Sequence, residues 1–486
     1  MLGAASLPPG PAKHWLLGNL RDMPTEKEYE VYAQWGKQYK SDILHMEIFG
    51  INIVVLNSLE AVNDLLDRRS AHYSGRAHLP MVMDLMGWKW LLGFKPYGER
   101  YHRRIFNEEF SEKAAPRFEP QERAAAAQFL KRLSESPADY LQHVRHWAAS
   151  LVISIAYGID IKPVNDPYVK AAEEAAHTIS VAGVPGAFLV DTFPWMKHIP
   201  EWVPGADFQR KAREWKAIAR RMVDLPYATA KSMIESNSYR PSFVSYNLEK
   251  PEAHGPKAEY HEEAVKSMAG SMYIAGSDTS ITTVLYFILG VLSNPDAQAK
   301  AQEEIDRVLP ADKLPDFDDE PSLPYVTALV KECLRWKVVT PFAIPHLYES
   351  KEDDVYKGCR IPAGSIIMPN SWCVFMLRKH YPDPMKFNPD RFMKDGKLDP
   401  NVRDPSCAAF GFGRRVCPGK HMGYASVWLV VASTLATFDI KQKVDDYGRP
   451  IPVPGTTISG LVSMPVPFEC SITPRSRAAA DLVSSL

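Results

Sequence analysis

The residues best equipped for chemistry lie together at 410–419, Phe-Gly-Phe-Gly-Arg-Arg-Val-Cys-Pro-Gly. Cys417 sits among glycines, two arginines and a proline. A thiol beside cations and a helix N-terminus is held as the thiolate. Arg414, Arg415 and nearby backbone N–H groups are placed to do this. Gly413 and Gly419 allow sharp bends and close approach of the backbone to a flat ligand. Pro418 suits the first turn of a helix, where its missing N–H costs nothing. An anionic sulfur on a rigid loop is suited to ligating iron.

Two further constellations stand out. Ala275-Gly276-Ser277-Asp278-Thr279-Ser280 interrupts an apolar helical run. Asp278 is an acid in that run. The Thr279 hydroxyl can bond the carbonyl four residues back or hold water. Such an acid–alcohol pair can pass protons. Glu332-Cys333-Leu334-Arg335 sets an acid and a base at i and i+3 on one helix face, and Pro389-Asp390-Arg391-Phe392 follows. A carboxylate between two guanidiniums is a buried structural tie.

These residues need a scaffold. Ile51 to Leu56 reads as a strand and Leu59 to Arg69 as a helix. From Glu119 to Glu235 the pattern is mostly helical, broken at Pro163, Pro167 and Pro185 and by a loop from Phe193 to Gly205. A long helix runs from Glu259 to Ser293 and another from Tyr325 to Trp336. Strand signals recur around Ile366 and from Val462 to Phe468. The fold class is mainly α with small β-sheets, a single domain over 12–486 behind a Pro-rich hinge at 1–11. No linker or repeat divides the 486 residues.

A net charge of −1 gives no global sign of nucleic-acid binding. Six cysteines without a C-x-x-C pair make no disulfide framework. Cys333 and Cys470 read as small core residues. No stretch of 18 apolar residues occurs.

The spacing Phe410-x-x-Gly413-x-Arg415-x-Cys417-x-Gly419 resembles the haem-binding loop of the cytochrome P450 superfamily. The resemblance implies the single-domain fold of that family and haem b (iron protoporphyrin IX) with Cys417 as axial thiolate. It makes Phe410, Gly413, Arg415 and Gly419 cofactor-binding. Residues 275–280 resemble the family's oxygen-activation motif. Ala275, Gly276, Asp278 and Thr279 are then catalytic. Gly276 leaves room for dioxygen and substrate against the haem, and Asp278 with Thr279 delivers the protons that dioxygen cleavage needs. Glu332, Arg335 and Arg391 resemble the family's structural triad. His346, Arg415 and one of Arg100 or Arg104 are the expected propionate partners. Here the chain departs from the family's W-R-x-x-R: Tyr101 replaces the tryptophan, and the segment is short before Arg103-Arg104. Met83, Trp88, Met272, Val339, Phe342, Ile458 and Leu461 are expected to line a pocket for an apolar, medium-sized substrate.

Tyr73-Ser74-Gly75-Arg76, Phe110-Ser111-Glu112-Lys113, Val402-Arg403-Asp404-Pro405 and Pro465-Val466-Pro467-Phe468 resemble fungal (basidiomycete) secondary-metabolism members of the superfamily. The implied activity is monooxygenation of a terpenoid, indole or polyketide. No G-x-G-x-x-G follows a strand, so electrons are expected from a separate reductase; the resemblance implies NADPH-cytochrome P450 reductase, with cytochrome b5 as a second donor. The chain is expected to act as a monomer. Leu7-Pro8-Pro9-Gly10-Pro11 resembles the hinge that follows the membrane anchor of microsomal members. The expectation is an endoplasmic-reticulum protein facing the cytosol, with the anchor missing here. Large apolar residues from Phe188 to Val203 suit a membrane surface, with Lys197 and His198 at the headgroups, or else core packing. A haem-thiolate isomerase or dehydratase without a reductase, and a non-enzymatic haem sensor, are the rival functions.

Overall fold

In the computed structural model, which describes residues 5–183 and 186–486, seven helices frame the candidate site. They are α1 (Arg100–Phe110), α2 (Glu119–Glu135), α3 (Tyr140–Tyr157), α4 (Asp207–Glu235), α5 (Ala258–Ser293), α6 (Pro324–Trp336) and α7 (Lys420–Thr437). A helix that is apolar all round must be buried. α5 obeys this, packing against α3, α4, α6 and α7. Among the described residues it is the one helix long and apolar enough to cross a membrane, but those neighbours cover it as a core helix. Its middle differs. Ser267–Tyr273 and Ile281–Val291 are buried, while 274–280 keep accessible surface.

A four-stranded sheet lies to one side. It comprises β1 (Ile43–Ile48), β2 (Ile51–Leu56), β3 (His346–Leu347) and β4 (Ile366–Pro369), in the order β1-β2-β4-β3. Phe49 and Gly50 join β1 to β2, both with positive φ, as a two-residue hairpin turn requires. β4 runs parallel to β2 (Ile53 beside Ile366) and antiparallel to β3 (His346 beside Ile367). The Pro-rich segment lies along this sheet: the His45 N–H donates to the Pro9 carbonyl at 3.1 Å.

The structure departs from the sequence reading in three places. The segment 59–69 is α-helical only over Leu59–Val62 and widens to a π-helix over Asn63–Arg68. Pro167 starts a helix (Pro167–Ala182) that Asp166 caps; it breaks none. The strand expected over 462–468 shrinks to Met464–Pro465, paired with Thr457–Ile458, because Pro465 and Pro467 cannot donate to a ladder. Pro185 lies outside the described residues.

Glu332 and Arg335 on α6 are fully buried. Arg335 Nε and Nη2 each donate to the Glu332 carboxylate at 2.7 Å. Arg391 Nε adds a third bond at 3.2 Å, and the Asn388 N–H a fourth at 2.8 Å. The remaining guanidinium donors go to the carbonyls of Pro382, Asp383, Pro384 and Lys386. The triad therefore clamps a loop that has no regular structure of its own.

Candidate active site at the Cys417 loop

The loop before α7 is built on tight backbone turns. Gly413–Arg415 form one 3₁₀ turn, and the Cys417 N–H donates to the Phe410 carbonyl at 2.7 Å. Gly413 has φ +53°, and a Cβ there would lie 1.9 Å from the Leu66 carbonyl oxygen. Gly419, the residue before α7, differs: an added Cβ would meet nothing within 4 Å. The two glycines should therefore separate on mutation. Gly413→Ala should lower stability by more than the roughly 1–2 kcal/mol of the left-handed backbone alone. Gly419→Ala should leave the thermal midpoint of the haem-free protein unchanged. Thermal unfolding of both variants checks this, and equal losses would mean that the backbone demand at Gly413 is not what sets it apart.

Cys417 is the one exposed cysteine among the described residues. It is also deep in the protein, and burial pushes its thiol up, against the pull of the Gly419 N–H, Arg103 and Lys420. Both facts hold if its accessible surface faces an internal cleft. From the sequence, Arg414 and Arg415 are the expected support of the thiolate. In the structure Arg414 turns outward, over the Tyr97 ring at 5.4 Å. Arg415 donates to the carbonyls of Ser74 at 2.7 Å and Lys95 at 2.9 Å. The loop's own charges do not hold a thiolate; a bound metal would, since it deprotonates its ligands.

Three guanidiniums gather at the same place. Arg103 donates to the Val416 carbonyl at 2.8 Å, next to Cys417. Arg76 donates to the carbonyls of Gly93, Ile344 and Pro345. Arg415 completes the set. Among the described residues none of the three pairs with a carboxylate. Burial and mutual repulsion push Arg76 well down and Arg415 down to about 10; burial also lowers Arg103. Enclosed cations without an acid partner are suited to an anionic ligand. His346 lies beside them. Its Nδ1 bonds the Tyr73 carbonyl at 2.6 Å, and burial, Arg76 and Arg415 push it down to about 3. The ring is then neutral with an unprotonated Nε2, so it accepts and does not donate there.

Arg100 and Arg104 do not join this cluster. Both are exposed. Arg100 stacks on Tyr97 at 5.6 Å, and Arg104 stacks on Tyr101 at 4.9 Å while facing Glu108 at 3.5 Å. They share a helix face, as their spacing requires, but it is the outer one. Arg103 lies on the inner face, three and seven residues before the buried Phe106 and Phe110. That periodicity was present in the sequence. Arg76 lies in a loop and had no such signal.

The accessible turn of α5 carries Ala275 and Thr279, one above the other. Thr279 Oγ1 donates to the Ala275 carbonyl at 2.8 Å. Ser277, Thr282 and Thr283 make the same backward bond, a run that loosens a helix. Gly276 points elsewhere. A Cβ on it would sit 3.2 Å from Val152 of α3. Its smallness lets α3 approach α5, and not Gly276 but Ala275 is the exposed residue of this turn. Asp278 is pushed up by burial, with Arg145 of α3 opposing. Neighbours in sequence do not face each other on a helix, so Asp278 and Thr279 are not in direct contact.

The expected pocket residues divide. Met83, Trp88 and Met272 are buried, and Trp88 stacks on Trp90 at 5.1 Å. Val339 joins the same apolar cluster as Trp88 and Met272. Phe342 instead packs against Tyr29 and Tyr32 near the sheet. Ile458 and Leu461 keep more than half their surface exposed. Lys197 does not face outward freely; its ammonium bonds Asp84 at 2.8 Å.

An accessible thiol, three enclosed guanidiniums and an opened helix turn fit a flat group that carries a metal and two carboxylates. Comparison with known proteins agrees. The family profile described as Cytochrome P450 matches residues 8–471. Cytochrome P450 monooxygenase 98 of Postia placenta is 47% identical, covering 99% of this chain and 92% of that protein. Tryptamine 4-monooxygenase of Psilocybe cyanescens is 42% identical, covering 98% and 95%. A zebrafish cytochrome P450 structure with abiraterone superposes with a TM-score of 0.72 at 20% identity, over 92% of this chain and 100% of that one; this likeness concerns the fold alone.

Proposed function

The chain belongs to the cytochrome P450 family and is a haem monooxygenase, and from that premise we propose that it oxidises an apolar fungal secondary metabolite at a site built on Cys417. The observation that carries the site is the accessible Cys417 thiol on the loop that Arg103 clamps. Haem bound there supplies the redox chemistry, in which one atom of dioxygen enters the substrate and the other leaves as water. Cys417 would hold the iron through its sulfur, and a thiolate ligand favours O–O cleavage. Arg76, Arg103 and Arg415 would hold the propionates, with His346 beside them as a neutral acceptor. Gly419, beside open space, and Phe410 would lie against the planar group. Ala275 keeps the α5 face small. The protein's share is to place the substrate, move protons and exclude water.

Thr279 is the proposed proton-handling hydroxyl. Its O–H donates to Ala275, which leaves its oxygen free to accept from water. Asp278, raised by burial, would feed protons through an intervening water. Placed proton transfer commonly contributes about 10²–10⁴-fold in rate. Thr279→Ala should therefore lower product per NADPH several-fold and raise peroxide, with little change in substrate binding. Unchanged coupling would leave Thr279 as a helix-bending residue only.

The family draws on a redox partner and a small-molecule substrate. NADPH-cytochrome P450 reductase is the proposed electron donor, with cytochrome b5 as a second and the enzyme itself as a monomer. Arg100, Arg104 and Arg414, all exposed beside the Cys417 loop, are the proposed cations of the donor's landing face. Trp195 and Trp202, with Trp15, are largely exposed and support seating on the cytosolic face of the endoplasmic reticulum membrane. Turnover with NADPH and reductase tests the reading: an isomerase or dehydratase would act without them, and a sensor would not turn over at all. Spectral titration with terpenoids, indoles and polyketides would identify the substrate class.

A further inference from the structure

Glu122 of α2 keeps 3% of its surface exposed, and no cation pairs with it among the described residues. Its side-chain partner is Ser426 of α7, with Oγ 2.5 Å from Oε1. The same Oγ lies 2.8 Å from the Met422 carbonyl, in the first turn of α7. A serine hydroxyl has one proton to give. If Glu122 is ionised, Ser426 must choose between the carboxylate and the carbonyl. If Glu122 is protonated, its O–H donates to Ser426 and Ser426 donates to Met422. Both acceptors are then satisfied. Counting protons thus favours the neutral acid.

The charges around Glu122 agree. Burial raises its carboxyl to about 7; the Ser426 bond opposes this, Glu119 adds to it and Arg123 opposes it. Glu119 and Arg123 are on its own helix, and Arg123 is itself engaged by Asp316 and Glu119 at 2.8 Å each. Ser426 faces it from α7. No charged group of α3, of the C-terminal helix Arg477–Ser484 or of the strand Cys470–Pro474, which also pack on α2, acts on it.

We propose that Glu122 is a positioning residue for the thiolate helix: it holds a proton in the resting enzyme, and losing it turns Ser426 from the Met422 carbonyl to the carboxylate. One proton passes to solvent and no electron moves. The first turn of α7 begins three residues after Cys417, so the switch changes the hydrogen bonding of that turn and adds a charge beside the helix. This rests on Cys417 being that ligand.

The test is the midpoint potential of the haem-loaded enzyme, followed across neutral pH. In the wild type it should fall as pH rises through about 7, because a negative charge appears beside Ser426 on the helix that follows Cys417. Glu122→Gln keeps the shape and the donor to Ser426 but cannot ionise; it should hold the wild-type low-pH value throughout. Ser426→Ala removes the carboxylate's donor and should move the transition to higher pH. Parallel pH dependence in wild type and Glu122→Gln would overturn the proposal. An independent readout is the infrared band of a protonated carboxyl, expected below neutral pH and absent in Glu122→Gln. That band does not depend on which residue ligates iron. A spectrum without a band specific to Glu122 would also overturn the proposal, whatever the Cys417 experiment gives.

Discussion

Cys417→Ala should abolish the red-shifted Soret band that marks a thiolate-bound haem in the reduced carbon-monoxide complex. The expected loss is complete, because no other cysteine can take over. Cys333 is fully buried and its thiol is pushed well up. Cys373 and Cys407 are pushed up by burial to about 11, and Cys470 to about 12. Cys359 sits in a short strand away from any helix N-terminus. Cys417 alone combines accessibility with Arg103, Lys420 and the Gly419 N–H around the sulfur. The variant should still bind some haem through its propionates, with a band at shorter wavelength. A wild-type band in the variant would remove Cys417 from the role.

Glu332→Gln should yield little haem-loaded protein. Gln would leave two guanidiniums, one fully buried and one nearly so, without their anion. Breaking a buried pair from one side costs roughly 3–5 kcal/mol. Against a total stability of about 5–15 kcal/mol that is large. The loop at 382–388 would lose its clamp, since the same guanidiniums hold its carbonyls. The ratio of haem to protein after purification measures the effect, with the exposed Glu26→Gln as control. Normal loading and an unchanged thermal midpoint would mean that the guanidiniums find other partners.

Much of this site was legible in the sequence because its demands are local. A cysteine among glycines, and an acid–base pair one helical turn apart, are constraints written within a few residues. The long apolar run of α5 was equally plain, since only a core helix tolerates it. What failed was direction. Arg100 and Arg104 have the right spacing and charge, yet spacing fixes a shared face without saying which way it turns; Phe106 and Phe110 put Arg103 inside. Gly276 failed in the same way, because a glycine signals close approach but not of what, and here the neighbour is Val152. Arg76 and Phe342 depend on distant segments meeting, which no local pattern encodes. The two-proton logic of Glu122 and Ser426 needed two residues 304 positions apart to be brought together.

The meeting of Arg76, Arg103 and Arg415 bears on how the protein is made. Three like charges held together oppose closure of the chain around them, and a doubly anionic ligand bound there would remove that opposition. Loading and closure would then be one thermodynamic event. A ligand at a hundred times its dissociation constant adds about 2.7 kcal/mol to the folded state. In a cell that makes polypeptide faster than porphyrin, the surplus chains would stay partly open and fall to proteolysis. The yield of intact enzyme would then follow the supply of haem during synthesis more closely than the amount of message.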